Sequence, residues 1–122
     1  MCDRTVLCVS GPDAKSFLQN LVTNDVNKLN DNIIYSALLN PQGKLVTDFF
    51  LVDFGQKILI DVNSKASDNL LKLLNLYKLR AEIVIEKTDL KVSTGLKNKP
   101  EKGLEDPRNP KLGWRYYSNE DL

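Results

Sequence analysis

Histidine is missing from this chain altogether. That removes the usual general base near neutral pH and the commonest metal ligand. Cysteine is scarce: Cys2 and Cys8 are the only two, near one end, and Cys8 sits in an apolar run. Such a pair suggests neither a disulfide framework nor a metal site, and it fits a reducing compartment. No stretch is apolar over the roughly 18 residues that a membrane-spanning helix requires. Met1-Cys-Asp-Arg4 leads straight into a strand, without a hydrophobic signal segment. An excess of one charge is lacking too. Lys and Arg number 17 against 16 Asp and Glu, a net charge of +1. Composition therefore gives no reason to expect tight nucleic-acid binding or an anionic membrane surface. Lys78 with Arg80, and Lys97 through Lys102, are modest clusters that read as solvated surface.

What is present suffices for one domain. A chain of 122 residues buries roughly two-thirds of its unfolded surface on folding. Its organising stretch is Tyr35 to Leu51, two strands joined by the turn Asn40-Pro41-Gln42-Gly43. Pro41 suits the first central position of a type I turn, and Gly43 the position that leaves it. In the second strand Val46, Asp48, Phe50 and Val52 share one face, and Leu45, Thr47, Phe49 and Leu51 the other. Both faces are mostly apolar, which predicts a strand covered on both sides. Asp48 lies in its middle. A carboxylate there must be paired, protonated or open into a polar cavity, since burying it alone costs several kcal/mol or more. Pairing Asn40 with Gly43 sets Tyr35 opposite Asp48. A further turn around Phe54-Gly55 sets Asp61 opposite Asp48 and Asn63 diagonal to it. Tyr35, Asp48 and Asn63 then share one face, on a register that a single bulge would break. Asp48 is either a core aspartate bonded to Tyr35 or an arginine, or the lining of a ligand pocket.

The remaining elements follow in order. Thr5 to Val9 is a short strand. Ser10-Gly-Pro-Asp13 starts a helix, with Ser10 as cap, Pro12 in the first turn and Asp13 at the third helical position. Ala14, Phe17, Leu18, Leu21 and Val22 form its apolar stripe. Thr23-Asn24-Asp25 ends it, by ordinary turn chemistry or with Asn24 turned toward a ligand. Strands are expected over Ile33 to Leu39, Lys44 to Asp53 and Lys57 to Val62. A helix over Lys65–Tyr77, capped by Ser64 or Ser67, carries Leu70, Leu71, Leu73, Leu74 and Tyr77 on one face. Lys78-Leu79-Arg80 closes it with positive charge. Ala81 to Glu86 and Leu90 to Thr94 are two more strands. Strands in runs with helices between them predict an α+β fold with a mostly antiparallel sheet.

After Gly95 the character changes. Leu96 to Gly113 carries three prolines and many charges, and reads as an extended linker. The domain is expected over residues 1–94, with 95–122 a linker and the start of a next, truncated domain. Trp114-Arg-Tyr-Tyr117 brings an aromatic cluster with nothing after it to bury it. Those aromatics either pack back onto the first domain or are lent to a partner chain, which would make a homodimer through the tail.

Several stretches, taken in order, carry a resemblance. They are Val9-Ser-Gly-Pro-Asp-Ala-Lys-Ser-Phe-Leu-Gln19, Val22-Thr-Asn-Asp-Val26, Tyr35 to Lys44, Asp48-Phe-Phe-Leu51 and Tyr77-Lys-Leu-Arg-Ala81. Asp106-Pro-Arg108 and Leu112-Gly-Trp-Arg115 follow. Together they resemble the N-terminal part of the YgfZ-type folate-binding proteins, relatives of the glycine-cleavage T-protein, an aminomethyltransferase. The resemblance covers nearly the whole chain. It implies the N-terminal folate-binding domain of the aminomethyltransferase-like fold, with tetrahydrofolate or a derivative as cofactor. It also implies a role in maintaining iron–sulfur enzymes, including ones that modify tRNA, with those proteins or their assembly machinery as partners. The family's Lys-Gly-Cys-Tyr-x-Gly-Gln-Glu segment is absent from this chain, so only the first third to half of a typical member is expected here.

Site residues carry over at three positions. Asp48 matches the second acid of the T-protein's Gly-x-x-x-Asp-Asp run, with Thr47 in place of the first. Tyr35 matches a pocket tyrosine, and Asn63 the asparagine after the third strand. Val52 stands where the T-protein has a further tyrosine. Three functional readings stand. The first is a tetrahydrofolate-binding accessory protein for iron–sulfur maintenance. The second is a one-carbon transferase with Asp48 as catalytic acid or base. The third is a non-catalytic scaffold fragment. The resemblance implies the cytoplasm of a bacterium, or the mitochondrial matrix if the source is eukaryotic.

Overall fold

The computed structural model describes residues 4–22, 33–40, 42–54, 57–78, 81–95, 104–105 and 114–118. Strand β1 is Arg4–Ser10, helix α1 Ala14–Gln19, and strands β2, β3 and β4 are Ile33–Leu39, Leu45–Phe54 and Lys57–Asn63. Helix α2 is Ser64–Tyr77, followed by β5 Val84–Lys87, β6 Lys91–Gly95, β7 Leu104–Glu105 and β8 Trp114–Ser118. Five strands form one sheet in the order β2-β3-β4-β1-β5, and three form a second in the order β6-β8-β7. Every strand pair in both is antiparallel. The α+β class with two helices is what the sequence predicts.

The five-stranded sheet has two covered faces. On one, Leu70 and Leu74 of α2 and Ala14, Phe17 and Leu18 of α1 pack against Leu7, Val9, Phe49, Leu51, Ile60 and Val62. On the other, Val6, Phe50, Val52 and Leu59 pack with Val92 of β6, and Leu104 of β7 and Tyr117 of β8 lie against them. Strand β4 shows the consequence. Ile58 through Val62 are all buried, because side chains alternating to either face both find a layer there.

The hairpin departs from the simplest count in an instructive way. Gly43 takes φ 84°, the left-handed conformation for which glycine carries no Cβ penalty. Its N–H donates to the Asn40 carbonyl at 2.8 Å. The Asn40 side chain accepts from the Gln42 and Lys44 amides at 3.0 and 2.9 Å. Leu39 consequently pairs with Leu45, and a bulge then sets Leu38 against Thr47. Each step adds one residue to β3, so the register moves by two. Tyr35 faces Phe50, and Ala37 faces Asp48. Two one-residue shifts leave every side chain on its original face.

Other expectations change at their boundaries. Asp13 is the N-cap position of α1, not its third residue, and Ser10 still belongs to β1. The Asp13 carboxylate accepts from the Glu82 amide at 2.8 Å, tying the helix start to the chain entering β5. Gly11, at φ 113°, allows that approach: a Cβ there would stand 2.2 Å from the Glu82 carbonyl oxygen. Helix α2 is capped by Asn63, whose side chain accepts from the Lys65 amide at 2.8 Å. Ser67 instead is buried and donates to the Ser64 carbonyl. The strand expected from Ala81 begins at Val84, because residues 81–83 are held to Lys78 and Asp13. Thr23-Asn24-Asp25 and Gly55-Gln56 lie outside the described residues.

The stretch read as a linker contains β7, which pairs with β8. Strand β8 is also paired to β6 along its length. One edge is therefore occupied throughout by β6 and the other at Trp114 and Arg115 by β7, and Arg115 and Tyr117 return to the five-stranded sheet.

Candidate functional site

The face of the main sheet opposite the helices carries Arg4, Tyr35, Asp48, Phe50, Asp61 and Asn63. Its buried polar centre is Asp61, which is 0% exposed. Arg4 Nε donates to Asp61 Oδ1 at 2.7 Å, and Arg4 Nη2 to the Asp61 carbonyl at 2.7 Å. Arg115, from β8, donates Nε and Nη2 to Asp61 Oδ2 at 2.9 and 2.6 Å. The Tyr117 hydroxyl donates to the same oxygen at 2.8 Å. A carboxylate with this many charge-assisted bonds is tolerable in a dry interior, where an unpaired one is not.

The surroundings set the ionisation of its partners. Burial pulls the Arg115 guanidinium down, but Asp61 and Tyr117 together outweigh it and leave it above its ordinary value. Burial, reinforced by the Asp61 carboxylate, pushes the Tyr117 phenol well above its ordinary 10.0. Both therefore hold their protons across the neutral range, so the cluster is a fixed clamp at neutral pH.

Phe50 links this clamp to the open end of the face. The Arg115 guanidinium carbon lies 4.1 Å from the Phe50 ring centroid, and that of Arg4 5.8 Å from it. Tyr35 packs on the same ring, centroids 5.3 Å apart at 58°. The Tyr35 hydroxyl in turn donates to Asp48 Oδ2.

The three residues expected from the sequence thus share a face in a different arrangement. Tyr35 reaches Asp48 diagonally across the hairpin. Asp48 is exposed, not covered on both sides, because it lies toward the turn end of β3 while the covered part of the strand is centred on Phe49 to Val52. Asp61 stands opposite Phe50, not Asp48, because β3 and β4 pair in the register that sets Phe54 against Lys57. Continuing that ladder one step beyond Phe49 and Val62 brings Asn63 level with Asp48. Asn63 is exposed and its Oδ1 serves the α2 cap. The sequence does not single out Arg4, Asp61, Arg115 or Tyr117 as a group. The spacing hides it: Asp61 alternates with Ile58, Ile60 and Val62 and lies on the same face as Lys57 and Asn63, which reads as the polar side of a half-exposed strand. Among the described residues no cluster of three or more Cys, Asp or Glu is placed to hold a metal ion.

The antiparallel sheet backed by two helices matches the aminomethyltransferase T fold. The crystal structure of glycine cleavage system aminomethyltransferase T from Bartonella henselae superposes with a TM-score of 0.71 at 17% identity, covering 84% of this chain and 34% of that one. The family model for the GCVT N-terminal domain matches residues 5–94. The chain belongs to that family. An iron–sulfur cluster assembly factor IBA57 homolog, mitochondrial, from Pyricularia oryzae is 30% identical over 92% of this chain and 33% of its own length. Its counterpart from Mycosarcoma maydis is 31% identical over 92% and 34%. An aminomethyltransferase from Desulforamulus reducens is 42% identical over 49% of this chain. The chain spans about a third of the length of the IBA57 relatives.

Proposed function

We propose that this chain is the N-terminal portion of an iron–sulfur cluster assembly factor, and that it binds tetrahydrofolate or a derivative at the Tyr35–Asp48 end of the main sheet. One observation carries the first half: similarity to IBA57 homologs runs through 92% of the chain, including the region beyond residue 94. The second half is supported by Asp48, an exposed carboxylate whose geometry is fixed by the Tyr35 hydroxyl. It can accept from the N–H groups of a pterin ring, while the Tyr35 ring offers a flat apolar surface to it. Asn63 lies level with them at the start of α2.

This role places the protein with iron–sulfur enzymes or their assembly machinery, tRNA-modifying enzymes among them. The mitochondrial matrix is the compartment if the source is eukaryotic, and the cytoplasm if it is bacterial. No described helix is long and apolar enough to cross a membrane. The test is a calorimetric titration with tetrahydrofolate, checked by fluorescence of the single tryptophan, on the wild type, Asp48→Ala and Tyr35→Ala, with mass in solution measured alongside. Saturable binding weakened in both variants is the expected result. A folded wild-type chain that binds no folate overturns the ligand assignment for this chain.

Similarity to aminomethyltransferases favours a second reading, one-carbon transfer with Asp48 as acid or base. The structure weakens it, because Asp48 is exposed and Thr47 stands beside it in place of a second acid. Transfer from a labelled methylene donor, lost in Asp48→Asn with affinity intact, would establish it.

A further inference from the structure

We propose that Arg115 is a positioning residue for the Tyr35–Asp48 pair, acting through the ring of Phe50. The proposal rests on the reading that this pair belongs to the ligand site. Its physical basis is a continuous run of contacts across one face of the sheet. Asp61, wholly buried, fixes the Arg115 guanidinium with two bonds to one oxygen, at 2.9 and 2.6 Å. The guanidinium lies against the Phe50 ring, 4.1 Å from its centroid. A flat cation held there restricts the ring's tilt. Phe50 is directly opposite Tyr35 in the β2–β3 ladder, with ring centroids 5.3 Å apart. Two χ angles decide where the Tyr35 hydroxyl points, and the Phe50 ring bounds both. That hydroxyl is bonded to Asp48.

The arrangement gives the C-terminal strand a role in a site built on the hairpin. Residues 33–63 contribute Tyr35, Asp48 and Phe50, while the guanidiniums of Arg4 and Arg115 reach the Phe50 ring from β1 and β8. Arg4 approaches less closely, at 5.8 Å, and is committed to both Asp61 Oδ1 and the Asp61 carbonyl. Strand β8 supplies the guanidinium at the shorter distance. A lysine at 115 would keep a charge for Asp61 and lose the flat surface over Phe50.

The test uses the full chain with labelled tyrosine and aspartate and follows the Tyr35 ring and Asp48 carboxyl carbon by NMR, without ligand. Arg115→Lys and, independently, Phe50→Leu are expected to shift both signals. Leu74→Ala, a cut in the helix-side core, is the control for general loosening and is expected to leave them in place. Tetrahydrofolate affinity is then expected to fall roughly three- to ten-fold in Arg115→Lys. It should fall little further when Arg115→Lys is added to Phe50→Leu. Signals unmoved by Arg115→Lys, or moved equally by Leu74→Ala, overturn the proposal. If the ligand-free signals move as expected and the wild type binds no folate, the ligand reading fails and the positioning role stands.

Discussion

Replacing Asp61 by asparagine should be among the most damaging single changes available in this chain. The side chain keeps its shape, so no cavity opens. What changes is charge: the Arg115 guanidinium, with a side chain only 10% exposed, loses its counter-ion in a dry site. The amide also presents an NH2 group toward donors that already point at it. Either Arg4 at Oδ1 or Arg115 and Tyr117 at Oδ2 must then face a donor. Breaking a buried ion pair by removing one partner costs about 3–5 kcal/mol. The Arg4 arm contributes less, because its side chain is partly exposed and screened. For a domain with about 5–15 kcal/mol of total stability, that is a large share. With a urea dependence of about 1.5 kcal/mol per molar, the midpoint should drop by about 2–3 M.

Urea unfolding followed by circular dichroism gives the number directly. Asp61→Asn combined with Arg115→Met supplies the internal check, since it removes the stranded cation along with its partner. The double variant should lose less than the sum of the two singles, by about 1–3 kcal/mol. A cost below about 1 kcal/mol for Asp61→Asn, or simple additivity in the double, would refute the view that this carboxylate is held as a desolvated ion between two arginines.

Further outcomes follow from single contacts. Gly11→Ala should destabilise by about 2–4 kcal/mol, since it forces a Cβ onto the Glu82 carbonyl from a φ that L residues avoid; an unchanged thermal midpoint would contradict this. Asn63→Ala should cost about 1 kcal/mol through the lost α2 cap, read by thermal unfolding. Asp48→Ala, at an exposed position, should change stability by no more than about 0.5 kcal/mol while weakening ligand binding, so a parallel fall in both would argue against a site role. Alkaline pH should destabilise the fold. The Tyr117 phenol and the Cys8 thiol, both raised chiefly by burial above their ordinary 10.0 and 9.0, ionise first in the unfolded chain. Their contribution is complete below those values and is lost as pH climbs toward the folded ones. Urea midpoints compared at pH 8 and above pH 10, for wild type and Tyr117→Phe, check it. A slope unaltered by Tyr117→Phe would show that the phenol plays no part.

How far the fold was legible in the sequence depended on the kind of information each element used. Helix α2 and strands β2 to β4 were readable because periodicity alone defines a face, and a face was all that assigning them required. Pairing was a different matter. The partner of each hairpin residue depends on where the chain bulges, and the extra residues at Gly43 and Val46 follow from turn geometry that spacing does not reveal. Because there were two shifts, Tyr35 and Asp48 kept their shared face while exchanging their direct partners for Phe50 and Ala37. One shift would have put them on opposite faces. The helix boundaries slipped for a similar reason. Asp13 and Asn63 both looked like local residues, but Asp13 binds an amide 69 positions away.

The largest omission concerns which aspartate is buried, and its cause can be stated physically. Asp48 and Asp61 both lie in apolar strands, and the argument that a buried carboxylate needs partners applies to each. Two features of the structure separate them. Asp61 is in a strand whose five central residues are all buried, while Asp48 lies near a turn that opens its end of the sheet to solvent. The arginine supply also differed: Arg4 opens β1, the neighbour of β4, and pairs with Asn63, two residues along β4 from Asp61. The remaining partner could not be found locally. Arg115 is 54 residues from Asp61 in sequence and arrives only through the pairing of β8 with β6. The aromatic strand that follows the linker-like stretch therefore delivers the cation that makes a buried aspartate tolerable. The burial of Asp61 depends on that return. If β8 left the sheet, Asp61 would keep only the partly exposed Arg4, and the Phe50 ring would lose its closer guanidinium. The docking of the C-terminal strand and the order of the Tyr35–Asp48 face are for that reason one structural event, not two.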